Sequence, residues 1–171
     1  MLKSLGLFLV IGSTSAVGFG YAKNVHRQLQ QMRQLLSAIE YMKDEISYRM
    51  TPLEQVFEVL GAELSGAVGA FFACCCRRMR QERTSSIQDV FCAAMRDAAG
   101  LHLPRQAHGA LASLALVLGK FDVEGQCRAL DLASERIGRT IRELEDNRQE
   151  RCRSYRTIGI CAGFAVAVIL L

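Results

Sequence analysis

The chain has no tryptophan and only two prolines, Pro52 and Pro104, and aromatic side chains make up 7% of its 171 residues. Few prolines leave helices uninterrupted. Few aromatics leave few platforms on which nucleic-acid bases could stack. No strand-like alternation of useful length is present, so helices are the expected elements. No glycine-rich loop precedes a lysine and a serine or threonine, which excludes the usual nucleotide-hydrolysing motif. His26, His102 and His108 are not spaced with carboxylates or nucleophiles as metal ligands or a catalytic pair. Glu40 with Asp44, and Glu143 with Glu145 and Asp146, fit solvated helix faces better than paired acids. The seven cysteines include no CxxC spacing, so neither a zinc site nor a secreted disulfide framework is expected. Cys74, Cys75 and Cys76 are consecutive and on a helix point about 100° apart, so they do not grip one ion. The expectation is a protein that is not an enzyme and holds no cofactor and no metal.

What is present is a sharp partition of charge. The chain carries 21 basic and 17 acidic residues, a net charge of +4, and all but Lys3 of these fall within residues 23–156. Residues 4–22 and 157–171 carry none. The expected organisation is therefore a transmembrane helix over residues 1–22, a cytosolic helical domain over 23–156 and a short transmembrane helix over 157–171. The first run would cover about 28 Å at ~1.5 Å per residue, close to the hydrocarbon thickness. The second reaches only about 22 Å, and snorkelling basic residues or local thinning of the bilayer would have to make up the rest. Each run has a basic collar: Lys23 and Arg27 after the first, Arg148, Arg151, Arg153 and Arg156 before the second. Such collars hold the adjoining segment in the cytoplasm and attract anionic lipid headgroups. Membrane surface, and no nucleic acid, is the partner class this pattern favours. The rival reading is a signal peptide cut near Thr14, Ser15 and Ala16, which would release a secreted or membrane-surface helical binding protein. Gly12, Ala16 and Gly20, and again Gly159, Gly163 and Ala167, recur every four residues. They predict close packing of the two anchors on each other or on partner helices, a homo-oligomer included.

Between the anchors the apolar spacing predicts six amphipathic helices. Val25, Leu29, Met32, Leu36, Ile39 and Ile46 form the first stripe, with one miss at Lys43. Thr51, Pro52 and Glu54 read as a capping box opening the second helix, which is expected to stop at Gly61. A third spans about 64–83 and ends in a group of arginines. A fourth opens on Ser85 with Gln88, and a fifth opens on Pro104 and stops at Gly119. Asp122 caps the last, carrying Val123, Cys127, Leu130, Ile137, Ile141 and Leu144. Short turns between such helices predict an all-α, antiparallel six-helix bundle with both chain ends at one pole.

The layout, together with Glu45, Ile46, Tyr48, Thr51, Pro52 and Leu53 and then Leu118, Gly119, Asp122 and Gln126, resembles the stage III sporulation protein AB family. The resemblance implies a cytosolic bundle similar to that of type II secretion inner-membrane platform proteins. It also implies a membrane component of the channel, or feeding-tube, apparatus joining mother cell and forespore. The implied location is the mother cell membrane around the forespore, with the bundle in the cytoplasm. The implied partners are the apparatus's ATPase and its other membrane subunits. Capping explains Thr51, Asp122 and Gly119. Glu45, Tyr48 and Gln126 are left as the residues expected to line a partner groove.

Overall fold

The computed structural model describes the backbone of residues 24–81, 86–98 and 100–170, with side chains through Asp146. The described residues form six helices and no strand. Helix α1 covers residues 24–44 and closes in a π-helical turn, Glu45–Arg49. It is followed by α2 (Leu53–Glu63), α3 (Gly66–Gln81), α4 (Ile87–Asp97), α5 (Arg105–Val117) and α6 (Val123–Leu170).

Consecutive helices pack on each other from α2 through α6. Side chains of α1 tie the rest together: Gln31 donates to the Gly100 carbonyl at 2.7 Å and accepts from the His102 amide at 2.8 Å, fastening the α4–α5 loop. Arg33 pairs with Glu145 at 2.5 Å and Lys43 with Asp131 at 2.6 Å. Because the residue number rises along α1 as it falls along α6, the two helices run antiparallel. The start of α1 and the outgoing part of α6 therefore share one pole. The α1–α2 and α5–α6 turns share the other.

The core is aliphatic around a knot of four phenylalanines. Phe57, Phe71, Phe72 and Phe91 are buried, with ring centroids 5.0 to 5.8 Å apart in tilted and edge-on arrangements. Full burial of a side chain of this size contributes about 1.5–3 kcal/mol, and favourable ring pairs add to it. The expected stripe of α1 is buried at Leu29, Met32, Ile39 and Ile46. Met42, fully buried, fills the step that Lys43 misses.

Several local expectations are corrected. Gly61 does not end α2 but lies within it, where an added Cβ would sit 2.8 Å from the Ala73 backbone nitrogen. It lets α2 and α3 approach closely. The fourth helix is capped by Ser86, not Ser85: its Oγ accepts from the Asp89 amide at 3.2 Å and donates to the Asp89 carboxylate at 2.7 Å. Thr51 is not the N-cap of α2. Pro52 holds that position without a side-chain cap bond, while the Thr51 hydroxyl donates to Glu45 Oε2 at 2.7 Å. A buried carboxylate left short of donors costs more than a helix amide that water can reach, so the hydroxyl turns to Glu45. Nor does Glu54 reach back to close a box, since it accepts from Arg80 Nε at 2.8 Å. Val123 is exposed.

Among the described residues no helix is long and apolar enough to cross a membrane. The expected first anchor, with Gly12, Ala16, Gly20 and Lys23, lies outside the described residues. Arg148, Arg151, Arg153, Arg156, Gly159, Gly163 and Ala167 lie on the unbroken backbone of α6, beyond the described side chains. Arg27 is exposed on α1.

Candidate partner-docking pole

The two segments that carried the resemblance fold into the two turns at the pole away from the chain ends. At the α1–α2 corner everything converges on Glu45, which is 6% exposed. Its carboxylate accepts from Arg49 Nη1 at 2.8 Å and Thr51 Oγ1 at 2.7 Å. Its carbonyl accepts from the Met50 amide, and from the Thr51 amide at 3.1 Å. Burial, and then the charge of Glu45 beside it, push the Tyr41 phenol above its ordinary range. The corner is also strained. Met50 sits in the left-handed region at φ 51°, which for a residue other than glycine costs about 1–3 kcal/mol. The buried Ser47 hydroxyl has no hydrogen-bond partner among the described residues.

The α5–α6 corner is relaxed by comparison. Gly119 takes φ 74° after the end of α5. Asp122 caps α6, its Oδ1 accepting from the Gly125 amide at 3.2 Å. Gln126 folds back over the turn, donating to the Phe121 carbonyl at 2.8 Å and accepting from the Gly119 amide at 3.4 Å. A Cβ on Gly119 would meet Ile87 at 3.1 Å and Leu53 at 3.6 Å, so the start of α2 and the start of α4 abut this turn.

Of the three residues expected to line a groove, two therefore have internal work. Glu45 and Gln126 hold the corners, and Tyr48 alone points out, 85% exposed. The pole adds Met50, Phe121 and Val123 as further exposed apolar side chains. Sequence reasoning passed over Met50 and Phe121, because a lone apolar residue in a turn breaks no helical pattern.

Elsewhere the described surface offers little chemistry. A shallow groove of about 460 Å³ between α2 and α3 is lined by Glu58, Gly61, Ala73, Cys76, Arg77 and Arg80 among others. Arg80 is already spent in bridging Glu54 at 2.8 Å and Glu58 at 2.7 Å. Cys74, Cys75 and Cys76 are all buried, because α3 is packed by α2 on one side and α4 on the other. Burial raises the thiols of Cys75 and Cys76, which keeps them protonated and inert. No group of three metal-ligating side chains comes together among the described residues.

The model of the stage III sporulation protein AB family matches residues 3–171. The chain belongs to that family. It is 23% identical to the stage III sporulation protein AB of Bacillus subtilis (strain 168), over the full length of both chains. In three dimensions it is similar to a solved stage III sporulation protein AB, with a TM-score of 0.67 and 20% identity over 72% of this chain and 98% of that one. This second likeness shows the helical fold. Membership of a family of sporulation structural proteins implies a role in sporulation. Across the family's full-length match, both corner segments described above are included.

Proposed function

We propose that this protein is a non-enzymatic membrane platform of the channel apparatus between mother cell and forespore, docking an ATPase and other membrane subunits. The observation that carries this reading is the division of labour between the poles. Helix α1 begins and α6 runs out at one pole, and in the sequence the basic collars and uncharged termini adjoin these two segments. The other pole gathers two tightly bonded corners and the exposed Tyr48, Met50 and Phe121. In this reading residues 1–22 and 157–171 are the transmembrane helices. Lys23, Arg27, Arg148, Arg151, Arg153 and Arg156 meet anionic headgroups, each worth about 1 kcal/mol near such a surface. The two small-residue trios pack the anchors together. The bundle faces the mother cell cytoplasm, and the mechanism is positional: the membrane ends fix which pole a cytosolic partner meets.

Deletion of the gene in its spore-forming host, followed by complementation, tests this. The wild-type copy is expected to restore heat-resistant spores and to remain with the membrane after alkaline extraction. Copies lacking residues 1–22 or 157–171 should lose heat-resistant spores, and a copy lacking both should also be released by the extraction. An extractable wild-type protein, or a mature N-terminus beginning after Ala16, would overturn the platform.

A further inference from the structure

Among the described residues four have positive φ: Gly66 at 74°, Gly100 at 86°, Gly119 at 74° and Met50 at 51°. At three of these turns the chain uses glycine, which enters that region without a Cβ clash. At the fourth it keeps a long side chain. Glycine would serve the backbone there equally well, since what Met50 gives to the corner is its backbone amide, which donates to the Glu45 carbonyl. The side chain does not repay the strain by packing, for it is 76% exposed. What is retained at position 50 is therefore something presented outward. The π-helical turn just before it leaves Tyr48 outward as well, and turns of this kind are common where a helix is shaped for function.

The surroundings give the anchor a charge. Glu40, Asp44 and Tyr48 recur every four residues on the exposed side of α1. The cations within residues 40–50 are already engaged, Lys43 with Asp131 and Arg49 with Glu45. Glu40 and Asp44 form no ion pair among the described residues. The uncompensated charge that this stretch of α1 carries is negative.

We infer that Met50, with Tyr48, is a docking anchor that enters an apolar pocket rimmed by basic residues on a partner protein. A thioether moulds to an irregular pocket, and a tyrosine ring adds area with a polar tip that need not be buried. Glu40 and Asp44 set orientation against the basic rim. The inference rests on the platform reading for its choice of pole and goes beyond it in naming the anchor and the chemistry it meets.

The test replaces the resident gene with Met50→Gly, Met50→Leu or Asp44→Lys and counts heat-resistant spores. Thermal unfolding of each purified full-length chain is measured in parallel. Met50→Gly should lower spore counts at least about tenfold, as expected for loss of an interface anchor, while its unfolding midpoint stays at or above the wild-type value. Met50→Leu should retain spores, and Asp44→Lys should lose them without loss of fold. Spore counts for Met50→Gly within about twofold of wild type would overturn the anchor. So would a lowered midpoint, which would mean that the side chain packs within the bundle. If the loss of spores tracks the loss of a dimer of the purified chain in sedimentation, the occupant is a second copy and the basic pocket is wrong. If the wild-type gene itself proves dispensable, the platform reading fails separately. A photoreactive residue at position 50 then decides the anchor in living cells. Crosslinking to a Lys- or Arg-rimmed pocket, suppressed by Asp44→Lys, supports it, and no crosslink overturns it.

Discussion

The two corners of the docking pole solve one problem in opposite ways. Each must reverse the chain within a few residues and leave no helix-end group stranded. The α5–α6 turn does so with a glycine at φ 74°, an aspartate cap and a glutamine folded over the turn. The α1–α2 turn does so with a π-helical turn, a methionine at φ 51° and a buried carboxylate that must be fed by Arg49 and Thr51. The first is built for stability. The second accepts strain and a buried charge at the place where Tyr48 and Met50 stand out from the bundle. Strain that the rest of the fold over-determines is commonly found at sites of interaction.

The largest break in this comparison should come from Glu45→Ala. It strands the Thr51 hydroxyl, removes the acceptor of the largely exposed Arg49 and empties a buried site, and is expected to cost about 2–3 kcal/mol in urea unfolding. Glu45→Gln, which keeps one acceptor oxygen, should cost less. Next comes Gly119→Ala, at about 1–2 kcal/mol, because the Cβ is strained at φ 74° and lies 3.1 Å from Ile87. Met50→Gly, read by the same unfolding curves, should have the opposite sign and stabilise by about 0.5–1 kcal/mol. A destabilised Met50→Gly protein would erase the contrast between the corners. The smallest effect concerns neither corner and serves as a control. Arg78, hydrogen bonded at 2.6 Å, holds the Asp97 carboxyl below its ordinary value of 3.8. A lowered folded-state pKa means that the stabilisation is present above the ordinary value and fades as pH falls through the folded one. Asp97→Asn should therefore flatten the acid side of the stability curve, measured between pH 2 and 5, and leave both corners untouched.

Much of the fold is legible because helix periodicity is a local property. The stripes through Met32, Ile39, Leu111, Leu114, Leu130 and Ile137 mark faces that are indeed buried. Gly119 and Asp122 act at the α5–α6 turn as their residue types suggest. The misreadings occur where a residue answers to a distant partner. Thr51 carries every local mark of an N-cap, yet Glu45 claims its hydroxyl. Glu54 looks like the other half of a capping box, yet Arg80, on the next helix, holds it. Gly61 looks like a stop, yet it sits inside α2 because Ala73 must come close. Glu45 and Gln126 looked like groove residues because capping did not explain them, and each proves to have internal bonds that sequence spacing does not reveal.

The sequence by itself determined the helical class, the approximate helix bounds, the concentration of charge between two uncharged ends and, through its corner residues, the family. Those follow from periodicity, caps and composition, which act over a turn or two of chain. Only the tertiary structure decided that the two corner segments meet at one pole, that Glu45 is buried rather than presented, and that Met50 keeps a strained backbone with its side chain in solvent. Burial and strain depend on which helices surround a residue, and that is settled when α1 lies against α6 and α2 turns back beneath it.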